Sequence, residues 1–212
     1  MKIPVYFWFE LLAFAVCLIS FIKIRHTVLK WFLPFLGLIV VYEYGVLSRW
    51  SFLFINRSNH WLANIISTIE IVFYSLLYYH FIQSPQIKKI IRYTLAGFIL
   101  LTILNILFLQ GYNRFHTITY RLGSAMVIVF ICMYFKQLMN TENVTLTMEP
   151  MFWISSGLFF FLLGFIFYLS AFDFIAYQSI KKHASLYKVI RYSLIIQMYS
   201  LFAIAFLCKK NV

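Results

Sequence analysis

The chain has 212 residues, 63% of them apolar and 11% charged, whereas a soluble domain carries about 45–50% and about 25%. With a mean hydropathy of +0.87, this balance excludes a soluble enzyme, kinase module or nucleic-acid-binding domain and makes the bilayer the natural solvent. The net charge of +12 comes from 18 Lys+Arg against 6 Asp+Glu, and nearly all the bases lie between apolar runs, where lipid headgroups rather than nucleic acid meet them.

A helical crossing takes about 20 apolar residues. Apolar runs fall at 4–22, 31–50, 61–83, 91–110, 118–138, 150–178 and 190–208. They predict an all-α polytopic membrane protein: one domain, 1–212, made of seven transmembrane helices. The first run mimics a signal peptide, but Glu10 interrupts it and Val16 precedes Cys17 where a lipoprotein signal wants a small residue. It is expected to stay. Pro4, Pro34 and Pro150 fall in first turns, where a missing N–H costs nothing, and Pro85 falls in a loop. Polar stretches between runs are short, the longest being 136–149, and the chain closes on Lys209-Lys210-Asn211-Val212. No extramembrane domain is expected. Cys17, Cys132 and Cys208 lie far apart without metal-ligand spacing and read as buried hydrophobes.

Orientation is balanced. Taking side A as the face of the amino terminus, nine Lys/Arg fall on it, from Lys2 to Arg191, and nine on side B, from Lys23 to Lys210. The loop after the first run is the more basic flank, which favours the amino terminus outside and the carboxyl terminus in the cytoplasm of an inner membrane. A short echo, Lys89-Ile-Ile-Arg-Tyr-Thr-Leu95 against Lys188-Val-Ile-Arg-Tyr-Ser-Leu194, is offset by three spans, as in an inverted repeat of spans two to four and five to seven.

Ionisable groups inside a bilayer are costly, about 2.5–3.5 kcal/mol on insertion scales, so four intramembrane acids ask for a reason: Glu10, Glu43, Glu70 and Asp173. Glu10, Glu43 and Asp173 fall in the A half of their spans, and Glu70 lies near mid-membrane, with Asn64, Ser67 and Thr68 further toward A. Asn105 and Ser170 join the A half, and Gln197 lies near the middle of span seven. Ser67, Glu70 and Tyr74 are i, i+3 and i+7, one stripe of span three. A carboxyl beside hydroxyls donates a hydrogen bond when protonated. Glu43, Glu70, Ser67, Tyr74, Asn105, Asp173 and Gln197 are therefore the candidates for a ligand or ion pocket. The plainer reading is that the same groups glue helices together, or reach the headgroups in the case of Glu10 and Asp173.

Other chemistry finds little footing. Retinal needs a mid-helix lysine for its Schiff base, and every lysine sits at a span end or in a loop. The five histidines stand singly, without an HExxH or H-x-x-x-H pattern, so neither a metal nor another cofactor is expected. Glu43 with Glu70 is the one pair that could run acid/base hydrolysis on lipid.

The segment Pro150-Met-Phe-Trp-Ile-Ser-Ser-Gly157, with Gly164 seven residues on, opens the sixth run. Together with acids in spans two and three and Gln110-Gly111 closing span four, it resembles a group of uncharacterised bacterial seven-span membrane proteins, over the whole chain. Glu149 stands where that group often has Asn, and Phe161 where Tyr is usual. The group is often encoded beside sensor histidine kinases, so the resemblance implies a signalling context without a mechanism. Read from its residues alone, Gly157 with Gly164 is a smooth strip for helix packing.

The expectation is a non-catalytic membrane sensor or accessory signalling subunit with a polar pocket toward side A. Its surroundings would be membrane lipid, and its partner a sensor histidine kinase, another signalling protein or a second copy. The alternatives are a small proton- or cation-coupled transporter, and an intramembrane lipid hydrolase.

Overall fold

The structure is a computed structural model that describes residues 3–54, 58–111, 114–141, 145–176 and 184–208, with side chains for all of these except 172–176 and 184–187. Among them regular structure is helical: α1 Val5–Ile19, α2 Phe21–Ile24, α3 Phe32–Leu47, α4 His60–Phe81, α5 Pro85–Leu104, α6 Thr117–Met139, α7 Pro150–Ala176 and α8 Ala184–Leu207. Short 3₁₀ turns occur at Val28–Trp31, Ser51–Leu53 and Leu146–Met148, and α5 continues as a π-helix over Asn105–Leu109.

Six helical stretches are long and apolar enough to cross a membrane: Val28–Leu47, His60–Phe81, Pro85–Leu109, Thr117–Met139, Pro150–Ala171 and Lys188–Leu207. The expected seventh differs. Helix α1 has 15 residues, about 22 Å at 1.5 Å per residue, and Ser20 separates it from the single turn of α2. The fourth span also differs, because Pro85 opens α5 rather than lying in a loop. Proline suits the first helical position, and the basic turn after it is helix at the polar end of a span.

The chain folds as two compact units, 1–41 with 142–212, and 42–141. This division does not follow the halves of the suggested inverted repeat, since α6 falls in the same unit as α4 and α5.

In the first unit α8 packs along both α1 and α7. Tyr6, Phe7, Glu10, Ala13 and Cys17 form the buried stripe of α1, at the three- and four-residue spacing of one helix face. Phe32 of α3 meets Phe202 and Phe206 of α8 edge-on, with ring centroids 5.6 and 5.5 Å apart. Gly157 explains its place in the α7 motif. A Cβ there would stand 3.3 Å from the Met198 carbonyl oxygen and from Leu201 Cβ, so the absence of a side chain brings α7 onto the backbone of α8. Glu10 is 3% exposed and does not reach outward as a headgroup-seeking acid would.

In the second unit α4, α5 and α6 pack pairwise. Asn64, Ser75, Thr102, Asn105, Thr119 and Ser124 are buried, while Leu100, Ile103, Leu107 and Phe108 stand out. Polar inside and apolar outside is the arrangement a helix takes when lipid surrounds it. The chain is a multi-pass helical membrane protein.

Candidate functional site

The site is built from the second unit alone. Helix α4 begins at one end of that unit, where α5 closes and α6 starts, and Asn64 ties these together. Its Nδ2 donates to the Arg114 carbonyl at 2.9 Å, and its Oδ1 accepts from the His116 amide at 2.9 Å. Both amide functions of one side chain are thus spent on the stretch of chain entering α6. The ring of His116 turns back, its Nε2 2.8 Å from the Gly111 carbonyl; a carbonyl accepts only, so Nε2 carries the proton. Gly111 has φ +63°, a conformation that glycine adopts without the Cβ penalty.

The close of α5 is polar inside. The Asn105 Nδ2 donates to Gln110 Oε1 at 3.0 Å and to Thr119 Oγ1 at 2.8 Å, and Gln110 Nε2 donates to Thr117 Oγ1 at 3.2 Å. Asn105 is fully buried, and its Oδ1 meets no donor among the described residues, which leaves one acceptor for a water or a ligand. The π-helix over Asn105–Leu109 supplies the turn of register that directs Asn105 inward; such single turns recur at functional sites.

A cavity of about 10 Å³ lies beside this network, lined by Ser67, Thr68, Ile71, Phe98, His116, Thr119 and Tyr120. It has room for about one water. Ser67 and Thr68 do not present free hydroxyls to it, because both donate to the Asn64 carbonyl, at 3.1 and 2.7 Å.

Glu70 is the electrostatic hub. It is half-buried on α4 and lies within electrostatic reach of Glu43 and Tyr42 on α3, of Tyr74 one turn along α4, and of Tyr120 on α6. The Tyr42 hydroxyl accepts from Asn59 Nδ2 at 3.4 Å. Two carboxyls and three phenols thus act on one another electrostatically within this unit, and oxygen-bearing groups of this kind are the ones that suit a proton or a small cation.

No family model matches the chain, and no curated protein or solved structure is significantly similar to it.

Of the residues picked from sequence, Glu43, Ser67, Glu70, Tyr74 and Asn105 all lie in the second unit. Gln197 lies in the first unit with its side chain exposed on α8, and the side chain of Asp173 is outside the described residues. Sequence reading passed over Tyr42, His116 and Tyr120. His116 looked like an isolated loop histidine, and only the fold brings it to Asn64, 52 residues earlier. Among the described residues no group of three His, Cys, Asp or Glu is placed to hold a metal ion.

Proposed function

We propose that the chain is a non-catalytic sensor or accessory signalling subunit of a bacterial cytoplasmic membrane, with the polar interior around Glu70 as its input. The observation that carries the reading is the coupling of Glu70 to Glu43 and three tyrosines beside a cavity of water size. Organic ligands and lipid substrates take sites of roughly 300–1,000 Å³, so the chemistry that suits this interior is a proton or a small cation. The resemblance of Pro150–Gly157 to seven-span proteins encoded beside sensor histidine kinases supports a signalling partner. A second copy of the chain is the other partner this reading admits.

Seven crossings belong to the proposal. Ser20 N–H donates to the Val16 carbonyl at 2.9 Å and Ile24 N–H to the Ser20 carbonyl at 3.2 Å, so the helical path from Val5 to Ile24 is nearly continuous. Its 20 residues would reach about 30 Å, with the amino terminus outside and the carboxyl terminus in the cytoplasm.

The test is replacement of Glu70 by Gln and by Leu in the native host. Loss of a signalling phenotype with the protein still folded supports the reading; both variants behaving as wild type in stability and in every phenotype would refute it. The Glu43–Glu70 coupling also favours a second function, a small proton- or cation-coupled transporter. Flux into proteoliposomes that disappears in Glu70→Gln distinguishes that function from sensing.

A further inference from the structure

At the other end of the second unit, the turn between α4 and α5 gathers positive charge around one ring. The Arg92 guanidinium donates to the Tyr79 hydroxyl at 2.9 Å and lies 5.8 Å from its ring centroid. Lys88, one turn earlier on α5, places its Nζ 5.6 Å from the same centroid. Gln137 of α6 fixes the turn beneath them: its Nε2 donates to the Phe81 carbonyl at 3.1 Å, and its Oε1 accepts from the Gln83 amide at 2.7 Å. That brings Lys136, which is exposed, to the same end.

Among the described residues of the unit, no carboxylate at this end balances the charge. The unit's only carboxylates are Glu43 and Glu70, and Glu70 is nine residues from Tyr79, about 13 Å along α4. Lys88 also sits in the first turn of α5, where the helix dipole is positive and acidic residues are preferred. That turn has no acid, and the Ser84 side chain does not cap it. Two like charges on one ring, at an uncapped positive helix end and at the boundary of a membrane span, form a seat for an anion.

We propose that Tyr79, Lys88 and Arg92 bind the phosphate of an anionic phospholipid headgroup. Arg92 is pre-oriented by its bond to Tyr79 and offers its remaining N–H groups to phosphate oxygens. Lys88 supplies the second charge, and the acyl chains lie along the exposed apolar face of α5, over Leu100, Ile103 and Leu104. This site is separate from the Glu70 interior, and it stands whether or not that interior senses anything.

The test is titration of the detergent-solubilised full chain with phosphatidylglycerol, read by the thermal unfolding midpoint and by native mass spectrometry, with phosphatidylcholine as reference. The double variant Lys88→Gln/Arg92→Gln is expected to need roughly 30-fold more phosphatidylglycerol for the same effect, from about 1 kcal/mol per cation near a membrane surface. The charge-matched control Arg49→Gln/Arg114→Gln, at the opposite end of the unit, keeps the wild-type response. Inorganic phosphate at the same concentration does not reproduce the effect. Equal responses in the double variant and wild type, equal weakening in both double variants, or full protection by inorganic phosphate would each overturn the proposal. Should the double variant not fold, Tyr79→Phe unpins Arg92 while keeping the ring. It is expected to weaken the lipid response several-fold, and an unchanged response overturns the site.

Discussion

The side chain of Asn64 closes on the backbone of His116. Its Oδ1 accepts from the His116 amide while its Nδ2 holds the Arg114 carbonyl, both at 2.9 Å. One buried amide therefore stitches the start of α4 to the entry of α6.

Removing that stitch leaves a buried N–H without its acceptor. Asn64→Ala is expected to destabilise the protein by about 2 kcal/mol, within the range for unsatisfied buried groups. Asn64→Asp keeps the acceptor for His116 but sets a carboxyl oxygen against the Arg114 carbonyl, so it too should destabilise. Equilibrium unfolding in detergent micelles measures both.

Helix packing sets a second pair of expectations. A Cβ on Gly157 would press on the Met198 carbonyl at 3.3 Å, whereas one on Gly97 meets nothing within 4 Å. Gly157→Leu must push α7 from α8 and should cost about 1–3 kcal/mol, as overpacking does. Gly97→Ala should be neutral or stabilising by up to about 1 kcal/mol, from helix propensity. A comparison of the two unfolding midpoints separates backbone packing from propensity.

Thiol chemistry reports topology. Cys17 is fully buried on α1, Cys132 faces outward in the body of α6, and Cys208 lies just beyond α8 with its Sγ 3.5 Å from the Thr147 carbonyl. A membrane-impermeant maleimide should label Cys208 alone, and in inverted vesicles only if the carboxyl terminus is cytoplasmic. Burial pushes the Cys208 thiol above its ordinary value of 9.0. Less thiolate is then present at neutral pH, so labelling should accelerate about ten-fold per pH unit up to at least pH 9. A rate flat with pH between 7 and 9 would contradict that burial.

The acid pair gives a double-mutant cycle. Glu43 and Glu70 lie within electrostatic reach of each other, and like charges on the two repel. Glu43→Gln and Glu70→Gln should each relieve the same repulsion, so the double variant gains less than the sum. A coupling of about 0.5–3 kcal/mol is the scale for interacting neighbours. Additive effects would mean the carboxyls do not act on each other.

Six of the seven expected spans were legible from apolar run length, because lipid imposes one requirement on every crossing, whereas the first apolar run holds the shorter α1. The start of α5 was not legible. Lys88, Lys89 and Arg92 make that turn look like loop, whereas Pro85 and the flanking isoleucines continue the helix to the polar boundary. The π-turn after Leu104 carries no signature in composition. Within the site, the spacing of Ser67, Glu70 and Tyr74 marked a helix stripe, but Tyr120 and His116 reach it only through packing of α6. Gln197 shows the opposite error: a polar residue at mid-span looks inward, yet α8 is apolar almost all round and its sequence does not say which face is buried.

The central claim, a membrane subunit that acts through a protein partner, is tested most directly by mass spectrometry of what co-purifies with a gently tagged chain from native membranes. The account predicts a sensor histidine kinase or another signalling protein in near-stoichiometric yield, retained by wild type and by Glu70→Gln alike. A chain that purifies alone, with proton- or cation-coupled flux that Glu70→Gln abolishes, would contradict it in favour of transport.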